Sequence, residues 1–200
     1  MKTNAALLIA GLLACTATAR QPAAQGYPSR NVQIVVAYAP GGTGDIVARL
    51  IADKLAAALG KPITVENRAS ASGLVGAQSV ATAAPDGHTL LLGQTAEVAI
   101  NQHWIKALGY DPEKDLQPVA LATNVPLALV VFASSPYATL PAMLAASARK
   151  ELTFASAGAG TPGHFAGELL KLRSKSNMAH IPYKGFCILH AAPSRSMRLI

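Results

Sequence analysis

Two glycine-rich turns, AYAPGGTGD at residues 37–45 and SAGAGTPGHFAGE at residues 156–168, decide how this chain folds. Each turn follows a short apolar run and precedes an amphipathic segment, which predicts the order strand, turn, helix. A helix N-terminus leaves backbone N–H groups without intrahelical acceptors, and its dipole favours negative charge. We therefore predict an anion site in each half of the chain, with a small acid bound where the two sites face each other.

The segments around the first turn predict a parallel sheet. Residues 32–37, VQIVVA, are typical of a strand buried on both faces. The apolar spacing after the turn predicts a helix with Asp45 as its N-cap and Gly60 as its stop. Further elements are predicted in the order strand, helix, strand, at residues 63–65, 74–83 and 89–92. This alternation is typical of an α/β fold.

The second half of the chain predicts the same architecture. A crossover is placed at residues 123–126, between two apolar runs. Beyond it we expect a strand, a helix, a strand, the second turn with its helix, and a last strand, at residues 127–132, 141–148, 152–155, 156–172 and 178–181. The chain thus divides into a first α/β domain at residues 25–123 and a partial second α/β domain at residues 124–185.

The first 19 residues have the pattern of a secretory signal peptide. Lys2 precedes a ten-residue apolar run at residues 5–14, and small residues follow up to Ala19. That run is too short to span a bilayer, which takes roughly 20 apolar residues. We favour cleavage after Ala19 over the alternative, a lipoprotein anchored at Cys15. The protein is therefore expected to be exported.

Charge and cysteine content exclude several classes of protein. The formal net charge is +7, but the 17 basic residues are scattered and do not alternate with aromatic ones, which argues against nucleic-acid binding. Cys15 and Cys187 leave the body of the chain without an internal disulfide. The chain has no G-x-S-x-G, no H-E-x-x-H and no zinc pattern. We predict no catalytic residue, no metal and no cofactor, and we interpret His164 as a structural hydrogen bonder.

The second turn leaves one enzymatic alternative open. Gly158, Gly160 and Gly163 fit the nucleotide-binding spacing G-x-G-x-x-G after a strand and before a helix. That motif also requires an acidic residue about 20 positions on, whereas this chain has HIPYKG at residues 180–185. Pro162 also lies within the turn. A nucleotide-dependent enzyme is therefore the alternative to a binding protein.

Six segments, in this order, carry a resemblance to a known family: YPSRNVQIVVAYAPGGTGDIVARLIADKL, ITVENR, AAPDGHTLLLG, LGYDPEKDLQPVAL, FASAGAGTPGHFAGELL and HIPYKG. They resemble the periplasmic solute-binding proteins of the tripartite tricarboxylate transporter family, called Bug proteins in the bordetellae. The resemblance implies two α/β domains that close on a small carboxylate like a flytrap. It also implies a periplasmic location, delivery to the membrane components of the transporter, and no enzymatic activity.

The resemblance also implies a ligand site on the two turns. Backbone N–H groups and ordered waters would bind the carboxylates, and Thr43 and Asp45 would tune selectivity. The matching positions are Tyr38, Ala39, Pro40, Gly41, Gly42, Thr43 and Asp45 in the first turn, and Ser156, Ala157, Gly158, Gly160, Thr161 and His164 in the second. VENR at residues 65–68 matches the family without an assigned role. ASAS at residues 69–72 departs from the family's Pro-Gly-Ala-Gly-rich loop.

The last 15 residues depart from the family pattern. After Gly185 the family continues with an apolar helix and returns to complete both domains, whereas this chain has FCILHAAPSRSMRLI at residues 186–200. We interpret this as an off-family tail after a frameshift, which a family-like continuation in another frame of the coding DNA would confirm. Sheet edges and apolar helix faces would then lack partners. We expect low stability and weak or absent ligand binding.

Overall fold

The computed structural model describes residues 26–183 and 197–199. The predicted signal peptide and most of the predicted off-family tail lie outside these ranges. Within them, no helix has the length and apolar character needed to cross a bilayer.

A three-stranded parallel sheet forms the first half of the described chain. Its central strand β1 (Val32–Val36) pairs with β2 (Ile63–Asn67) on one side and β3 (Thr89–Leu92) on the other. Helix α1 (Thr43–Leu59) joins β1 to β2, and helix α2 (Leu74–Ala81) lies between β2 and β3. The predicted parallel sheet is confirmed for this half.

The first core lies between the sheet and α1. Ala48 and Ala52 of α1 pack against Ile34 and Val36 of β1, and all four side chains are buried. Small residues on the helix allow this close approach to the β-branched strand. Gly60 ends α1 in the left-handed region, with φ of 63°, as the sequence predicted.

A short helical segment follows β3 that the sequence did not predict. A π-helical turn at Ala96–Ile100 continues into helix α3 (Asn101–Trp104). The two pieces together are too short to show a helical period in the sequence.

A second sheet contains the strands of the other half, in the order β4 (Leu129–Val130), β7 (Met197–Leu199), β5 (Leu152–Ser156) and β6 (Met178–Pro182). Strand β5 (Leu152–Ser156) pairs in parallel with β6 (Met178–Pro182), close to the predicted bounds. Strand β4 is only Leu129–Val130, shorter than the predicted 127–132. Strand β7 (Met197–Leu199) lies between β4 and β5, so the predicted off-family tail supplies a strand that sequence analysis missed.

Two helices accompany the second sheet. They are α4 (Leu140–Ser147) and α5 (Pro162–Ser174). The core of this half is built on Phe154, Leu152, Met143 and Met178, all buried. Strand β5 runs directly from this core into the second glycine turn.

The connection between the sheets exposes apolar side chains. Residues 117–128 are exposed and form neither helix nor strand. Val119 is 83% exposed and Leu121 is 87% exposed. Exposed apolar surface of this kind promotes association.

Replacing Val119 and Leu121 together by Asp is expected to reduce self-association. Both side chains are exposed, so the free energy of unfolding should change by less than about 0.5 kcal/mol. Light scattering at increasing protein concentration measures the first effect, and denaturant unfolding measures the second. Unchanged scattering would show that association does not use this segment.

Candidate functional site

The first turn positions the start of α1. Gly42 has extended backbone angles, φ of −78° and ψ of 168°, and is the N-cap. Its carbonyl accepts a hydrogen bond from the N–H of Ile46 at 3.1 Å. The N–H groups of Thr43, Gly44 and Asp45 therefore lie in the first helical turn, where no preceding turn supplies carbonyl acceptors. The prediction that Asp45 is the N-cap was wrong.

Asp45 acts instead as an internal anion at the start of α1. Its Oδ2 accepts from the N–H of Gly41 at 2.9 Å, and its Oδ1 lies 2.9 Å from a guanidinium nitrogen of Arg49. Hydrogen bonds from Arg49 and then from Gly41 hold its pKa below the ordinary value. The buried carboxylate therefore fixes the turn, and Arg49 compensates its charge.

Strand β2 supports the first turn from the side. The amide nitrogen of Asn67 donates to the carbonyl of Tyr38 at 3.1 Å, and the N–H of Arg68 donates to the carbonyl of Val36 at 2.8 Å. The N–H of Gly42 donates to the carbonyl of Ala39 at 3.4 Å, while Pro40 is exposed at the tip. Residues 65–68, which the sequence left without a role, thus hold the turn in place.

A buried carboxyl group lies near the first turn. Glu97 is fully buried, and its Oε2 accepts from the N–H of Gln94 at 3.1 Å. Burial raises the pKa of Glu97 to about 7. Burial and the neighbouring Glu97 together raise the pKa of Tyr38. A Cβ on Gly73 would lie 2.1 Å from Glu97 Oε1, so only glycine fits beside this carboxyl. Sequence analysis missed Glu97, since its only signal is one charge within AEVAI.

The second turn offers fewer free N–H groups than the sequence predicted. Thr161 is the N-cap of α5, and its Oγ1 accepts from the N–H of His164 at 3.4 Å. Pro162 occupies the first helical position and has no N–H. Phe165 donates to the carbonyl of Thr161 at 3.2 Å. At the start of α5, the N–H of Gly163 therefore has no acceptor among the described residues.

The body of the second turn is held by its own side chains. Ser156 Oγ accepts from the N–H of Gly158 at 3.3 Å, and Thr161 Oγ1 donates to the Gly158 carbonyl at 2.7 Å. Gly160 donates its N–H to His164 Nδ1 at 3.1 Å. Ala157 is half-buried between these groups. The predicted residues of this turn are therefore brought together, but mainly as a rigid turn.

Two stacked histidines lie against the second turn. The rings of His164 and His180 are 4.0 Å apart, and His180 Nε2 lies 2.7 Å from Ser156 Oγ. Burial lowers the pKa of His164, and burial followed by His164 lowers the pKa of His180 to about 4. Both rings are therefore neutral near pH 7. Because His164 Nδ1 accepts a hydrogen bond, its proton lies on Nε2, which can act as a donor.

The two halves meet at the second turn through residues that sequence analysis did not select. Ser72 Oγ donates to the carbonyl of Ala159 at 3.3 Å. The Trp104 ring lies edge-on to Phe165, with ring centroids 5.9 Å apart. The carboxyl ends of the first sheet's strands are thereby joined to the second turn.

Comparison with family models shows which family the chain belongs to. Residues 47–189 match the tripartite tricarboxylate transporter family receptor. The chain belongs to this receptor family. The match begins within α1 and ends four residues beyond Gly185, and it includes the second turn.

Relatives and solved structures agree with the family. The chain is 35% identical to BugT of Bordetella pertussis over 189 residues, covering 92% of this chain and 58% of BugT. MatC from Rhodopseudomonas palustris with bound malate is 37% identical, with a TM-score of 0.72, over 80% of this chain and 55% of MatC. An R. palustris protein with adipate is 34% identical, with a TM-score of 0.74, over 80% and 54%. The chain spans about half the length of these relatives.

These likenesses confirm the α/β periplasmic binding protein fold and do not support the nucleotide-dependent enzyme. The structure supplies a physical reason. Gly160, the middle glycine of the nucleotide spacing, has φ of 75°, and a Cβ there would lie 1.8 Å from Ser72 Oγ. The first half of the chain therefore occupies the space beside this glycine. Among the described residues, no group of three or more His, Cys, Asp or Glu side chains could hold a metal ion.

Proposed function

We propose that this chain is a periplasmic receptor that captures a small carboxylate for the membrane components of a tripartite tricarboxylate transporter. The observation that carries the proposal is the start of α1, where three successive backbone N–H groups follow a glycine turn at the carboxyl end of a central parallel strand. In open α/β sheets, ligands bind outside the carboxyl ends of the strands. Anions bind well at helix N-termini.

The charges at the two turns favour a doubly negative ligand held by several weak contacts, rather than a ligand held by one strong ion pair. Asp45 and Arg49 compensate each other, so the first turn offers peptide dipoles rather than a net positive charge. On the second turn, Gly163 N–H and His164 Nε2 supply neutral donors. A dicarboxylate with one group on each turn fits this arrangement. The malate and adipate bound by the two R. palustris relatives are acids of this kind.

The proposed site comprises the residues that the sequence selected and, in addition, the backbone N–H groups of Gly44 and Gly163. Thr43 and Asp45 contribute N–H groups, while Tyr38, Ala39, Pro40, Gly41 and Gly42 shape the first turn. On the second turn, His164 contributes a side-chain donor, and Ser156, Ala157, Gly158, Gly160 and Thr161 build the turn.

We further propose two domains, residues 25–123 and 124–185, with the ligand between them. Export would use residues 1–19 as a cleaved signal peptide, with a lipoprotein anchored at Cys15 as the alternative. Mass spectrometry of the mature chain distinguishes the two, because cleavage after Ala19 gives an N-terminal Arg20 and lipidation gives a modified Cys15.

Thermal unfolding with millimolar malate, adipate, citrate, glutamate or nicotinate tests the proposed function. A ligand that binds only the folded state raises the unfolding midpoint, and a ligand at 100 times its Kd adds about 2.7 kcal/mol. Millimolar acid fills even a weak site. We expect one acid or a narrow group of acids to raise the midpoint. A cooperative transition that no acid shifts would contradict the proposal.

Gly42→Ser is expected to weaken carboxylate binding about tenfold without loss of stability. A Cβ at this position meets only the Ala39 carbonyl, at 3.4 Å, so the fold accommodates it. Serine is also a good N-cap. Its side chain would, however, cover the N–H groups that follow. Isothermal titration measures the affinity, and Ala57→Ser on the exposed face of α1 is the matched control. Unchanged affinity in Gly42→Ser would remove the first turn from the site.

A further inference from the structure

Ser72 has a backbone conformation that serine seldom adopts. Its φ is 57° and its ψ is 16°, in the left-handed region, within the single turn Ala71–Gly73 that follows β2. For a residue with a Cβ this conformation costs roughly 1 kcal/mol or more, whereas glycine adopts it freely. Ser72 is nevertheless 3% exposed, so the strained residue lies inside the molecule. Something other than local preference must hold it there.

Asn101 holds Ser72 from within the first half of the chain. Its amide nitrogen donates to the Ser72 carbonyl at 2.8 Å, and its Oδ1 accepts from the Trp104 indole N–H at 3.2 Å. Asn101 is fully buried. The turn at Ser72 and the ring of Trp104 are therefore linked through one side chain into one hydrogen-bonded unit.

This unit contacts the second turn at close range. The Ser72 hydroxyl donates to the Ala159 carbonyl at 3.3 Å. A Cβ on Gly160 would lie 1.8 Å from Ser72 Oγ and 2.8 Å from Trp104 Cζ2. The absence of a side chain at Gly160 thus allows the two halves to meet. Trp104 completes the contact against Phe165.

We infer that Ser72 is an interdomain latch that favours the closed form of the receptor and thereby sets its affinity for the ligand. The effect on affinity rests on the proposed function, whereas the latch itself does not. Contacts that close the receptor before the ligand arrives raise the population of the binding-competent state and tighten binding by the same factor. The hydroxyl gives the strained residue an interaction that glycine could not supply.

Two substitutions separate the latch from a purely structural role. Ser72→Gly relieves the strain and removes the hydroxyl, so its unfolding midpoint is expected to lie above that of Ser72→Ala, while the two halves open. Ser72→Ala keeps the strained Cβ and removes only the hydroxyl, so it should open the halves without raising the midpoint. Ser79→Ala is the matched control, since the Ser79 hydroxyl donates to the Gly76 carbonyl within α2.

Trp104 reports the opening directly. It is the only tryptophan in the chain. In both Ser72 variants, its emission is expected to shift to longer wavelength and its quenching by iodide to increase, relative to the wild type and Ser79→Ala. Unchanged emission and quenching in both variants would overturn the latch. A shift in Ser72→Gly alone would also overturn it, because the Cβ rather than the hydroxyl would then hold the halves together.

Ligand titration adds the second readout. If a carboxylate binds, both Ser72 variants should bind it about fivefold more weakly, the effect of losing one hydrogen bond. Equal affinity in wild type and both variants would overturn the link between latch and binding. If no carboxylate binds the wild type, the proposed function fails, and the tryptophan measurement still decides whether the latch exists.

Discussion

Glu97→Gln is expected to stabilise the folded chain by about 3 kcal/mol at pH 8 and to leave its stability nearly unchanged at pH 4.5. Glu97 is fully buried beside Gly73, and burial raises its pKa from 4.5 to about 7. Above pH 7 the folded chain must therefore hold a buried negative charge. Glutamine has nearly the same shape, and its carbonyl oxygen can still accept from Gln94.

The sign of the pH dependence follows from proton binding. Between pH 4.5 and 7 the unfolded chain has released the Glu97 proton, and the folded chain still holds it. The free energy of unfolding contributed by this group therefore falls as the pH rises through that window and is constant above it. Glutamine has no carboxyl proton to release, so the free energy of unfolding of Glu97→Gln does not fall in this way. The difference between variant and wild type should thus grow from pH 4.5 to 7.

The contribution of His180 to the free energy of unfolding changes with pH in the opposite direction over much of the same pH range. Its pKa is lowered from 6.5 to about 4, so the folded chain binds fewer protons than the unfolded chain between these values. Its contribution to stability is lost as the pH falls through that range. In the wild type the two groups oppose each other. In Glu97→Gln, the effect of His180 should then appear as a free energy of unfolding that rises with pH.

Urea unfolding at several pH values measures both effects. Glu113→Gln removes a carboxylate from an exposed position and controls for the change in net charge. A difference between Glu97→Gln and wild type that does not depend on pH would contradict a raised pKa at Glu97. A large loss of stability at every pH would show instead that the Glu97 carboxyl makes an interaction that glutamine cannot replace.

Most of the fold could be predicted because its elements carry their own signals. The apolar strand VQIVV, the helix that ends at Gly60 and the parallel pairing follow from periodicity and glycine punctuation. Strand β4 was predicted too long, because the apolar residues around it are exposed rather than paired. Strand β7 lies between β4 and β5 through pairing that its own short sequence does not encode.

The site could be predicted as two turns but not in its detail. Glycine spacing located both helix starts. It did not show that Asp45 folds back onto Gly41, or that Thr161 and Pro162 reduce the free N–H groups of the second turn. Ser72 and Glu97 were missed because their roles depend on neighbours distant in sequence, Ala159 in one case and Tyr38 in the other.

Gly167→Ala is expected to destabilise the second half of the chain by about 2 kcal/mol, although alanine is the better helix former. Gly167 lies within α5, directly over the fully buried ring of Phe154. A Cβ there would lie 2.1 Å from Phe154 Cε2, so the ring must move. That ring packs in the core with Met143 and Met178 and cannot move freely.

A double-mutant cycle with Phe154→Leu tests this cause. The leucine alone should destabilise the chain by about 1 kcal/mol or more, because it leaves part of the ring's volume empty. Combined with Gly167→Ala, it should cost less than the sum of the two, since the new methyl group occupies that volume. Gly44→Ala is the control in α1, because its Cβ would meet nothing closer than 3.4 Å. Additive losses in the double variant would show that the ring is not the obstacle.

The same ring connects this core to the site. The ring centroids of Phe154 and His180 are 4.9 Å apart, and His180 stacks on His164 at the second turn. A shift of the ring in Gly167→Ala should therefore change the titration of both histidines, measurable by NMR. Adding Phe154→Leu to Gly167→Ala should return the titration of both histidines toward that of the wild type. The packing of one glycine on one ring would then position the second turn as well as stabilise the second half of the chain.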